Sequence, residues 1–111
     1  MDRAPNLDEL FRMIERRPQT FLRQPSLWEL ELFVNGFNFH SYAMGLADET
    51  GYGTFVGDWL YERLGVVDRR GWQAAILDSA GSEAEAFHKF FELWREYRAA
   101  TAPHAASSKF R

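Results

Sequence analysis

Cysteine is absent from the chain. That removes disulfides, thiolate metal sites and cysteine nucleophiles together, and it fits a reducing compartment. Long apolar runs are also missing: the most apolar stretch, Ser26 to Leu46, is interrupted by Glu29, Glu31, Asn35 and Asn38, so no membrane span is expected. The first residues lack the basic, apolar, small-residue order of a secretory leader, and the expected location is the cytoplasm. Gly51, Gly53 and Gly57 are spaced G-x-G-x-x-x-G with no Lys-Ser/Thr ending and no preceding strand, which argues against a nucleotide site. The sharpest shortage is local. Between Ser26 and Glu62 there is no Lys or Arg, whereas Glu29, Glu31, Asp48, Glu49, Asp58 and Glu62 all carry carboxylates, although the formal net charge is only -3. Such an acidic block repels nucleic acid and attracts basic partners.

What is present reads as helix. The 111 residues suit one domain, expected over 1–98, with a small, polar, disordered tail over 99–111 around Pro103. Asn6 and Glu9 have capping-box spacing and open a first helix to about Arg16, stopped by Pro18. Ser26 and Glu29 repeat the signal before a long second helix, about 26–46, with two apolar stripes. Leu27, Leu30, Phe33, Val34, Phe37 and Met44 fall on one side; Trp28, Leu32, Phe39, Tyr42 and Leu46 fall on the other. A helix of this composition asks for cover on both faces. It is expected to be the centre of an all-α, compact bundle of four to five helices. The glycines of 45–54 predict an exposed loop, and Phe55, Val56, Trp59, Leu60 and Leu64 a third helix capped by Gly65. Trp72 and Ile76 fit either a short helix or a buried strand, with the paired alanines favouring helix. Ser82 and Glu85 open a last helix whose ridge of Phe87, Phe90, Phe91, Trp94 and Tyr97 should pack on one stripe of the second.

Several residue sets invite a chemical reading. Glu85 and His88 have the Glu-x-x-His spacing of carboxylate-bridged dinuclear metal proteins, but those need a second such pair and two more glutamates. By helical angle both residues also face away from the aromatic ridge, so no metal or other cofactor is expected. His40 could act as a base only with a reacting partner and an orienting group, and no spacing supplies either. Arg12 and Arg16 are expected to pair with Asp8 and Glu9 at helical spacing, which leaves no basic face for nucleic acid. A binding surface is the remaining option. Eighteen aromatics are expected to exceed what one small core hides, and Trp28, Phe39, Tyr42 and Tyr52 lie near the acidic block as the surplus.

One set of motifs has a counterpart. Arg17-Pro18-Gln19-Thr20-Phe21-Leu22, then Leu27, Leu30, Phe33 and Gly36-Phe37, Phe55-Val56-Gly57-Asp58-Trp59-Leu60, Trp72, and Ser82-Glu83-Ala84-Glu85-Ala86-Phe87 resemble a group of small bacterial helical proteins. Their pattern runs R-P-x-x-Y-L-G, F-x-x-W and S-E-E-E-A-F. Arg23 stands where their first motif ends in glycine. Proteins of this small acidic type are similar to the immunity partners of bacterial polymorphic toxins. The resemblance implies a non-enzymatic inhibitor of a toxin, and the acidic block of the chain supplies its expected contacts with a basic partner, Glu31, Asp48, Glu49, Tyr52, Asp58 and Glu62. The alternative is a homo-oligomer that pairs through the aromatic stripe of its long helix.

Overall fold

The structure, a computed structural model, describes residues 6–46 and 50–101; the expected sites Asp48 and Glu49 and most of the expected tail lie outside these. Every element among the described residues is helical, so the all-α bundle holds. Helix α1, Leu7–Arg16, starts on a complete capping box: Asn6 Oδ1 accepts from the Glu9 N–H and Glu9 Oε1 from the Asn6 N–H, both at 3.0 Å. Pro18 ends it and at once begins a short helix, α2, Pro18–Phe21, because proline at a first helical position forfeits no internal hydrogen bond.

The long helix, α3, spans Leu27–Ala43, with Ser26 Oγ capping the Glu29 N–H at 3.1 Å. Gly45, at φ +77°, ends it in a Schellman turn in which the Leu46 N–H reaches Ser41 O and the Gly45 N–H reaches Tyr42 O. The next helical run begins earlier than expected. A turn of helix, α4, Tyr52–Thr54, passes into a π-helical segment, Phe55–Trp59, and then into α5, Leu60–Leu64, closed by Gly65. The Trp72 segment is helix, α6, Trp72–Ala80, and the last helix, α7, runs over Glu83–Thr101, three residues past the expected end of the domain.

The centre of the bundle is α7 rather than α3. Helix α7 packs against α1, α3, α6 and the π segment, and Ala86, Phe87, Phe90, Phe91, Leu93, Trp94 and Tyr97 are all buried on it. Phe11 of α1 meets the ridge edge-on, its ring 5.0 Å from Trp94 and 5.2 Å from Phe90. Phe55 does the same from the π segment, 4.9 Å from Trp94 and 5.6 Å from Phe90. Each such pair contributes about 0.5–1.5 kcal/mol beyond the area it buries, so this aromatic cluster holds two elements to one helix.

The expectation that α3 is covered on both faces fails. Its first stripe is taken up by the body as far as Phe37, with Leu27, Leu30 and Val34 buried and Phe33 and Phe37 packed against the core, while Met44, expected on the same stripe, is exposed past the helix end. The second stripe is open. The two faces differ because the ridge of α7 has room for one side of α3, while α1 and the π segment are committed to α7 and α5 to α6.

Candidate functional site

The six residues of the expected acidic surface do not form one open face. Tyr52 is buried, its ring 6.2 Å from those of Phe11 and Trp94. Burial, reinforced by the charge of Glu31, pushes its phenol above the ordinary value near 10. Glu31 is half-buried and accepts a hydrogen bond from Nε2 of the buried Gln73 on α6. Tyr52 and Glu31 are therefore brought within electrostatic reach of each other, but Tyr52 is inside the core and Glu31 is spent on tying α3 to α6. Asp58 is exposed and its carboxylate is answered at 2.6 Å by Arg69, which also donates to the Gly57 carbonyl. Glu62 is exposed without an ion pair among the described residues. Tyr52 looked like surplus aromatic surface because its neighbours in sequence are glycines. Its burial comes from contacts with α1 and α7 far along the chain.

The other candidates separate in the same way. Glu85 and His88 are both exposed, on the side of α7 away from the ridge, and no group of three or more His, Asp or Glu residues converges among the described residues. His40 is exposed near the end of α3. The expected pairing of Arg12 and Arg16 with Asp8 and Glu9 is corrected. Asp8 turns instead to α7, where it accepts the Trp94 indole N–H at 2.8 Å and a two-pronged contact from Arg98 at 2.9–3.1 Å. Glu15 takes Arg95 at 2.7 Å. A buried indole and a long-range guanidinium compete better than a solvated neighbour on the same helix. Arg12 and Arg16 are left without an ion pair among the described residues, on the rim of an open groove of about 880 Å³ between α1 and α7.

What the molecule does present is the second stripe of α3. Three of the four aromatics singled out as surplus, Trp28, Phe39 and Tyr42, are exposed there together with Leu32, and Leu46 is exposed just past the end of the helix. Leu32 and Phe39 are each 72% exposed and Tyr42 80%. From Leu32 to Leu46 the chain has no Asp, Glu, Lys or Arg, so the C-terminal half of α3 offers solvent an apolar surface without the charges that usually accompany one. The surface lacks a nucleophile, a convergent set of titratable groups or an enclosed volume, and its chemistry is that of contact. Comparison of the chain with protein-family models, with curated proteins and with solved structures finds no match in any of the three. No helix among the described residues is long and apolar enough to cross a membrane.

Proposed function

We propose that this chain is a non-catalytic protein-interaction module that docks through the open stripe of α3. The observation that carries the reading is the exposure of four large apolar side chains, Trp28, Leu32, Phe39 and Tyr42, on one helix whose other side is built into the core. Scattered surface leucines need no explanation, but a contiguous apolar band of this size is what a binding face requires. The aromatic content fits as well, since Trp and Tyr supply most of the energy at such faces. An immunity-type inhibitor is one member of this class. Its acidic contacts would rest on Asp58 and Glu62, with Asp48 and Glu49 outside the described residues and Tyr52 and Glu31 engaged internally.

The test is a photo-crosslinking amino acid placed at position 42 in the producing cell, with position 92, exposed on α7, as the control. A discrete adduct from 42 and none from 92 is the expected result. No adduct from 42, or equal labelling from both sites, removes α3 as the docking surface.

A further inference from the structure

The open stripe has a spacing that its hydrophobicity alone does not require. Trp28, Leu32, Asn35, Phe39, Tyr42 and Leu46 follow one another at intervals of four, three, four, three and four residues. That is the heptad alternation by which one helix seats its side chains between those of another. Five of the six lie within α3, and Leu46 follows the Schellman turn at Gly45 just past its end. The stripe is therefore shaped for a helix of about its own length.

The same series is symmetric about residue 37. Read backwards, its intervals are unchanged, so Trp28 corresponds to Leu46, Leu32 to Tyr42 and Asn35 to Phe39. The exposures match across this centre as well: Trp28 and Leu46 are 45% and 49% exposed, Leu32 and Tyr42 72% and 80%. Laid antiparallel about residue 37, the stripe is self-complementary, with Trp28 facing Leu46, Leu32 facing Tyr42 and Asn35 facing Phe39 of the other copy, and mutual contact of this kind is what a two-fold interface between identical chains needs. We infer that the partner of α3 is α3 of a second copy, laid antiparallel. This rests on the docking reading above and names its occupant.

Three further observations favour a second copy over a foreign helix. Helix pairs that must choose a partner do so with charges flanking the seam; from Leu32 to Leu46 there are none, and Glu29 and Glu31 nearer its start are engaged within the chain by Arg23 and Gln73. Nothing there selects a different chain, and nothing repels an identical one. The exposed part of Trp28, Leu32, Phe39, Tyr42 and Leu46 amounts to roughly 650 Å² per copy, approaching the ~800 Å² that each partner contributes to a stable complex. Finally, Gly36 lies beside the centre of symmetry, exposed in the middle of a helix, and a Cβ built there meets nothing in its own chain. The chain's own packing does not require glycine at this position, whereas close approach of a second backbone at the crossing point does.

The antiparallel sense follows from where the body sits. Only the first half of α3 is anchored, at Leu27, Leu30 and Val34, while nearly every residue from Phe39 to Leu46 is exposed. Antiparallel pairing lays each free half along the partner's anchored half; parallel pairing would leave both free halves together beyond the two bodies. It also sets the helix dipoles head to tail.

Light scattering on the full chain tests the pairing. The wild type is expected at twice the 12.9 kDa chain mass, with little change on raising salt because the seam is uncharged. Phe39→Glu, which places two carboxylates in the seam without touching the body, is expected to weaken the dimer by at least about 100-fold while leaving the far-ultraviolet circular dichroism unchanged. The absence of native cysteine allows orientation to be read directly. A mixture of Leu32→Cys and Tyr42→Cys chains should crosslink between the two variants, and neither variant should crosslink to itself. Self-crosslinking of either variant would show parallel pairing, and a dimer with no crosslink would show another register; both overturn the antiparallel seam. A monomeric wild type at about 100 µM overturns self-pairing, and the adduct from position 42 then decides separately whether α3 docks anything. A dimer that survives Phe39→Glu counts against both.

Discussion

Replacing Asp8 by alanine strips three elements of a shared contact. In the native chain its carboxylate accepts the Trp94 indole N–H at 2.8 Å and both prongs of Arg98, while Arg98 also donates to the Thr50 carbonyl at 3.2 Å. Trp94 is 3% exposed, so its indole N–H loses its acceptor with little access to water, at a cost of about 1–3 kcal/mol. The Arg98 pair is partly solvated, with side chains 32% and 22% exposed, and after screening its loss costs about 0.5–1 kcal/mol. Asp8 also lies in the first turn of α1, where a negative charge contributes about 0.3–1 kcal/mol. Together these give about 3 kcal/mol, a large share of the stability of a small domain. Asp8→Asn keeps an acceptor for the indole and should lose about half as much. Urea unfolding followed by tryptophan fluorescence reads both, with the midpoint falling and the slope unchanged. A loss below about 1 kcal/mol for Asp8→Ala, or equal losses for the two variants, would refute the idea that the buried indole depends on this carboxylate.

Gly51 holds φ +77° and its carbonyl accepts the Tyr97 hydroxyl at 3.0 Å; a Cβ there collides with that hydroxyl. Gly51→Ala should therefore destabilise by about 2–3 kcal/mol in the same urea assay, through the left-handed backbone and the displaced hydrogen bond, and an unchanged midpoint would contradict it. Tyr52 supplies a pH dependence. Its phenol is raised above the ordinary value of 10.0 in the fold, so its contribution is complete below that pH and is lost as pH rises past the unfolded value. Tyr52→Phe cannot ionise, and its urea midpoint should fall less steeply than that of the wild type above pH 10; parallel curves would show that the phenol is not desolvated.

Local signals carried well into the structure, and long-range ones did not. The Asn6 and Glu9 box, the Ser26 and Ser82 caps and the Gly65 stop all appear where their spacing placed them, because each is closed within a few residues. The aromatic ridge of α7 was equally legible, since its 3.6-residue period leaves one burial pattern. The division of α3 into two stripes was also readable, but which stripe the chain covers was not. Period reports that a face is apolar, and covering it depends on how much surface the remaining helices have to spare. Asp8 shows the same limit: its choice of Trp94 and Arg98 over Arg12 joins residues 86 and 90 positions away, with nothing local to mark it. Tyr52 was read as surface from its glycine neighbours and is core for the same non-local reason.

That the bundle closes without the second stripe has an energetic consequence. Large apolar side chains in a folded core contribute about 1.5–3 kcal/mol each, so three of them could not be replaced by polar ones without unfolding a domain of this size. Leu32, Phe39 and Tyr42 are 72–80% exposed in the single chain, and replacing all three by glutamine removes little area that folding buries. Glutamine is also a sound helix former, whereas phenylalanine and tyrosine are weaker ones, so intrinsic propensity offsets part of any loss. The triple variant should accordingly unfold within about 1 kcal/mol of the wild type when both are compared as monomers, at dilution, while losing every association that passes through α3. A loss above about 2 kcal/mol at dilution would mean that the stripe is packed inside the single chain in solution, and the docking surface would have to be sought elsewhere. Equal stability with lost association would place the three side chains where only a partner makes use of them.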